Sequence, residues 1–228
     1  MPNRQVIETT LGKLFDAERT VRQLHDELAV VPSDQLLDVL TGAIQAAHRE
    51  EDEDEAALRL VRIASLLGEQ EGPRAVDALI DVLASENPEA RQAAGEELEA
   101  LAYDRFKEVA QGIERALKRL PSGSPALPEL PYLIAEVPEP GVTKLLGQFL
   151  KHQDADAVAA AIEALVELGD PGGASLIQPL VDDKRTVELE DDGGEGTSEV
   201  TLGELAEEAL GLLSAYEDDD EEDDGVRS

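Results

Sequence analysis

The chain has 228 residues and a formal net charge of −33, from 19 Lys plus Arg against 52 Asp plus Glu. Such a surface repels a phosphate backbone and anionic lipid alike, which sets ordinary nucleic-acid binding and membrane association aside. The absence of Cys removes disulfides, thiol nucleophiles and Cys-ligated metal sites, and makes a reducing, cytoplasmic setting the simplest expectation. Apolar residues are 42% of the chain and aromatics 3%, and 33 Leu with 30 Ala favour thin helix-on-helix layers over a thick sandwich core.

No apolar run within Met1–Thr10 reads as a signal peptide, and no window approaches 18 uninterrupted apolar residues. Residues 6–31 predict one helix or two. Ile7, Thr10, Leu14, Ala17, Val21, Leu24, Leu28 and Val31 recur at alternating spacings of three and four, which is a heptad seam. The seam serves either as a homodimer interface through residues 6–31 or as a cap packed on its own domain, so 1–31 stands apart as an N-terminal helix or cap. Pro32 breaks the chain, and Ser33 is placed to cap a helix carrying Leu36, Leu37, Leu40, Ala43, Ile44 and Ala47. The acidic run Glu50–Glu55 then precedes a helix with Leu58, Val61, Leu66 and Leu67. Acids at a helix N-terminus complement its dipole, although six exceed that need.

An internal repeat follows. Pro73–Ala102 overlies Pro140–Gly169 at an offset of 67, with Leu79 on Leu146, Leu83 on Leu150, Asn87 on Asp154, Ala93-Ala94 on Ala160-Ala161 and Leu98 on Leu165. Each unit reads as a shorter helix, a polar turn and a longer helix, with Asn87 and Asp154 at the second helix start. A third copy opens at Pro171. Its first helix maps at an offset of 31 and its second at 45, so 14 residues are inserted between them, roughly 185–200. The insert has two alternating segments around a Gly-rich turn, which predicts a small β-hairpin. Residues 103–139 interrupt the pattern with a helix over Phe106–Leu120, a Pro/Gly/Ser turn and a short proline-led helix through Val137. Glu217–Asp224 are eight consecutive acids, so 217–228 is expected to be a disordered acidic tail, leaving 32–216 as the repeat domain.

Three segments carry a family resemblance: Gly72-Pro73-Arg74-Ala75-Val76-Asp77-Ala78-Leu79-Ile80, Asn87-Pro88-Glu89-Ala90-Arg91-Gln92-Ala93-Ala94, and Leu165-Val166-Glu167-Leu168-Gly169-Asp170-Pro171. They resemble the HEAT-like repeats in their short bacterial form. The likeness covers 72–102 and 139–215 well and 33–70 loosely, whereas 103–137 do not fit. It implies an all-α fold, an α-solenoid of stacked antiparallel helix pairs, with the β-hairpin inserted in the last repeat. Val158 stands where the first copy has Arg91. Physics points the same way: one pair cannot bury its own apolar face, so pairs must stack.

The sequence offers no phosphate-binding Gly-rich motif, nucleophile elbow or His-Glu-x-x-His motif. His25, His48 and His152 lack ligand spacing, and Asp191–Glu199 misses that of a calcium loop. A catalyst is therefore not expected, nor is a cofactor or a metal. The offsets place Glu96, Glu163 and Glu208 at matching positions of successive second helices. Stacked helices lie about 8–10 Å apart, so Glu163 and Glu208 would share a row, with Glu96 further along it, on the face that solenoids commonly use for binding. The insert offers a second surface, where an exposed strand could pair with a partner. The candidate partner-binding residues are thus Glu96, Glu163, Glu208 and Arg91 on the helices, and Val187, Leu189 and Val200 in the insert. The expected function is that of an adaptor or scaffold for a protein with a basic or mixed surface. The alternatives are an acidic inhibitor or immunity-type protein that blocks a nucleic-acid-binding partner by charge mimicry, and an accessory or lyase-like subunit of an enzyme system.

Overall fold

The computed structural model describes residues 3–170, 172–190 and 196–224. Among these, ten helices form: α1 (Arg4–Ala29), α2 (Ser33–Ala47), α3 (Glu53–Gly68), α4 (Pro73–Leu83), α5 (Pro88–Arg119), α6 (Ala126–Ala135), α7 (Val142–Phe149), α8 (Ala155–Leu168), α9 (Gly172–Ile177) and α10 (Leu202–Asp224). Between α9 and α10, strands β1 (Thr186–Glu190) and β2 (Thr197–Thr201) pair antiparallel, with Val187 opposite Val200 and Leu189 opposite Ser198. The fold is therefore all-α with a small β-hairpin near its end, and the insert lies where the repeat offsets put it. The expected Gly-rich turn of the hairpin lies outside the described residues.

Short-range chemistry sets most helix starts. Asp52 accepts the Glu55 amide at 3.2 Å, Asn87 that of Ala90 at 3.1 Å and Asp154 that of Ala157 at 2.9 Å. Three acids, Glu53, Asp54 and Glu55, occupy the first turn of α3, where the helix dipole favours them. At α10, the Thr201 hydroxyl accepts the Glu204 amide at 3.1 Å while the Glu204 carboxylate accepts the Thr201 amide at 2.9 Å. That reciprocal pair is a capping box. Ser33 departs from expectation. Pro32, at φ −52°, takes the capping position, so Ser33 is already helical and its hydroxyl finds no partner.

Helix pairs then stack in two rows. The first-helix row runs α2, α4, the second arm of α5, and α7, then α9; the second-helix row runs α3, the first arm of α5, α6, α8 and α10. The interruption expected over 103–139 is thus not a break in the stack. Arg105, at φ −139° and ψ 48°, kinks α5. Its first arm closes one helix pair and its second arm opens the next, completed by α6. Side chains confirm the order. On the first-helix row Arg74 pairs with Asp38, Arg115 with Asp77 at 2.9 Å, and Arg119 with Asp81, and Gln148 donates to Glu114 at 2.8 Å. On the second-helix row Arg91 reaches Glu129 and Tyr132 donates to Glu163. This architecture is compatible with a helical repeat protein.

One continuous core lies between the rows, from Leu36 in α2 to Leu213 in α10, filled mainly by Leu and Ala. Ala94 and Ala161 are buried there and let second helices approach closely. Two ends differ from this pattern. The helix α1 is a single 26-residue element with none of its side chains buried, leaning on α3. At the other end, α10 runs to Asp224, past Leu213, the last residue of the core. Residues 225–228 lie outside the described residues.

Candidate binding surfaces

The two second helices α8 and α10 and strand β1 enclose a groove of about 380 Å³. Its apolar floor is Ile162, Val166, Leu189, Leu205 and Leu212, and its rim carries Glu163, Glu167 and Glu208. Two of the expected acids, Glu163 and Glu208, therefore meet in one groove. Glu96 does not join them, because α6 stands between the first arm of α5 and α8. It is exposed on its own helix and accepts from the Gln92 amide at 2.9 Å. None of the three forms an ion pair among the described residues. The Glu163 carboxylate instead accepts from the Tyr132 phenol, and burial followed by that hydrogen bond pushes the phenol well above its ordinary range.

Arg91 is engaged within the fold. Its guanidinium donates to the carbonyls of Ser85 at 3.2 Å and Glu86 at 3.0 Å and meets Glu129 at 3.3 Å. It clamps the α4–α5 turn and joins it to α6. Arg185 does similar work beside the insert, donating to the His152 carbonyl at 2.7 Å and to Asp183 at 2.6 Å. The guanidinium holds the Asp183 carboxyl below its usual range. The apolar residues of the hairpin also turn inward. Val187 is buried in the core, and Leu189 and Val200 pack against it. They anchor the hairpin on α8 and α10, since alternation in a strand puts one face on the core. Of the hairpin candidates, Leu189 alone reaches a groove.

A larger apolar groove lies at the other end of the molecule, beside the seam expected over residues 6–31. Val21, Leu24 and Leu28 of α1 face Leu58, Val61 and Leu66 of α3 across about 790 Å³, with Glu18, Asp54, Arg62 and Glu89 at its edge. The heptad seam was its legible signal; the exposure of Leu58 was not. His25 joins the two helices through Glu69 at 2.9 Å. Nearby, Glu97 packs against Gly68, and burial, then the carboxylates of Glu69 and Glu96, raise its carboxyl above the ordinary range.

The remaining histidines serve turns: His48 faces the Asp81 carbonyl at 3.3 Å and His152 that of Leu117 at 3.2 Å. Among the described residues no group of His, Asp and Glu is arranged to hold a metal ion, and no helix is long and apolar enough to cross a membrane.

No protein-family model matches the chain, and no curated protein matches it. Two crystal structures of engineered proteins are similar. One is 20% identical, over 87% of this chain and 90% of its own, with a TM-score of 0.36. The other is 19% identical, over 87% and 92%, with a TM-score of 0.30.

Proposed function

We propose that this chain is a non-catalytic protein-binding scaffold built from HEAT-like repeats, and that its α8–α10 face takes a basic, amphipathic segment of a partner protein. The observation that carries this reading is the pairing of an apolar floor with an acidic rim in one groove. Apolar side chains of a docked helix would fill the floor, while Lys or Arg on its flanks would meet Glu163, Glu167 and Glu208. A helix seated in an apolar groove is a recurring recognition mode. The net charge adds long-range steering of basic partners, and that steering weakens with salt.

Support also comes from the division of charge between the rows. On the first-helix row Asp38, Asp77 and Asp81 pair with Arg74, Arg115 and Arg119, whereas the carboxylates around the groove meet no cation among the described residues. The test is affinity capture at low salt with the wild-type chain and with Glu163→Lys/Glu208→Lys as bait. A stoichiometric protein retained by the wild type and lost by the double variant supports the reading. Equal capture by both baits removes the groove from it. If the captured protein binds nucleic acid, and DNA competes for it, the inhibitor reading is the one to keep.

A further inference from the structure

We propose that the chain forms a twofold symmetric, antiparallel dimer in which the N-terminal half of α1 from each copy fills the α1–α3 groove of the other. The occupant is this chain's own segment Arg4–Phe15. Val6, Ile7, Leu11, Leu14 and Phe15 in that half are each between 42% and 54% exposed. They are spaced to line one side of a helix. The groove lacks an equal complement of cover: Leu24 is 53% exposed, Leu28 41% and Leu58 65%. Each copy thus has a bare apolar helix half and a bare apolar groove, and both belong to the same end of the molecule.

Charge selects the occupant. The helix α1 carries four basic and five acidic side chains, a net of −1, which leaves −32 to the rest of the chain. Within it, Arg4–Phe15 carries Arg4 and Lys13 against Glu8, a net of +1, to which the helix N-terminus adds positive potential. The groove edge carries Glu18, Asp54 and Glu89 against Arg62. A net positive helix half therefore faces a net negative groove.

Geometry selects the direction. At about 1.5 Å per residue, α1 is roughly 39 Å long. The groove lies against its C-terminal half, from Glu18 to Leu28. An antiparallel partner places its N-terminal half beside that part, and the same contact recurs by symmetry, as an isologous interface requires. It also separates the two acidic bodies to opposite ends of the helix pair. A parallel seam would bring them together at one end. Symmetry counts each exposed apolar side chain twice toward the roughly 1,200–2,000 Å² that a specific stable interface buries.

The test uses the intact chain, in which the described residues and the full sequence hold no Cys, so introduced thiols report without background. Sedimentation equilibrium at micromolar concentration is expected to give twice the 24.5 kDa chain mass. Leu11→Glu/Leu14→Glu and, separately, Leu58→Glu should each give the monomer with an unchanged helical spectrum, since all three side chains are exposed within one copy. Mixing Leu11→Cys chains with Leu58→Cys chains and adding a short thiol-reactive cross-linker should yield a covalent heterodimer. Ile7→Cys alone should yield none, because antiparallel copies of residue 7 lie about 30 Å apart. A monomeric wild type, or efficient Ile7→Cys self-linking, overturns the proposal. Partner capture through the α8–α10 groove is unaffected by either result.

Discussion

Asp154 shows how much one side chain can fix. It is 5% exposed; one carboxylate oxygen caps α8 and the other accepts the Gly123 amide at 2.6 Å, tying the α5–α6 turn to the next helix pair. Its repeat counterpart Asn87 caps α5 alone. Asn87→Ala should therefore lower stability by about 1 kcal/mol, the usual worth of a cap. Asp154→Ala should lose about 2–3 kcal/mol, because a charge-assisted hydrogen bond goes with the cap. Urea midpoints of the two variants check the difference; equal shifts would mean that the Gly123 contact contributes nothing. Glu97 makes a prediction of opposite sign. Its raised carboxyl binds protons more readily folded than unfolded, so it subtracts stability as pH rises from the unfolded carboxyl range, about 4.3, through its folded value. Glu97→Gln should thus raise the melting temperature at pH 7, with the gain fading as the pH falls toward 4. A gain independent of pH would assign the effect to packing. The caps at Asn87 and Asp154 were legible because a cap acts within three residues. The work of Arg91 was not, since its acceptors are turn carbonyls and a carboxylate on α6, contacts that only the fold brings together.

At the scale of elements, the same limit explains the middle of the chain. The repeats at 73–102 and 140–169 were legible because Leu and Ala recur at matched positions, and the hairpin because an insertion shifts one offset and not the other. Residues 103–137 showed their two helices but not that the two stack as a pair in the row. The kink at Arg105 lets one run of helix serve two pairs without an intervening turn, and α6 carries Pro131 inside it. What marks the second arm of α5 as a stacked first helix is a close contact: a Cβ at Gly112 would lie 2.3 Å from Cγ1 of Val76 in α4. Gly112→Ala should therefore destabilise, by about 1–3 kcal/mol as for other overpacked sites. Gly42, in α2, has nothing within 4 Å of the same position. Gly42→Ala should instead stabilise by about 1 kcal/mol, the ordinary helix preference for Ala. The pair makes a sign test by thermal melting. A stabilising Gly112→Ala would show that α4 and α5 pack less closely than this contact requires. The groove surfaces divide along the same line. Glu163 and Glu208 could be aligned from offsets, while Ile162, Val166 and Leu212 became a floor only when β1 and α10 closed around them.

For the whole molecule, the net charge of −33 is distributed, not uniform. The first-helix row pairs Asp38, Asp77 and Asp81 with arginines between repeats, α1 is nearly neutral, and much of the remainder lies in the groove rim, the Glu50–Glu55 run and the eight acids at 217–224. The last of these is a run of eight like charges, which repel one another at close range. Removing residues 217–228 takes away eight acids and one Arg, a net of −7. The shortened chain should keep its helical repeat body, whose core ends at Leu213, and should melt at the same or a higher temperature. Its melting temperature should also depend less on salt than that of the full chain, because screening relieves self-repulsion in proportion to the charge present. Thermal melts of both chains between about 0.01 and 1 M salt, where the Debye length falls from about 30 to 3 Å, separate the terms. Two curves that converge at high salt make the tail a purely electrostatic burden on the fold. A shortened chain that melts lower at every salt concentration would show that 217–228 holds the body by contact, and the acidic end of α10 would then belong to the folded unit.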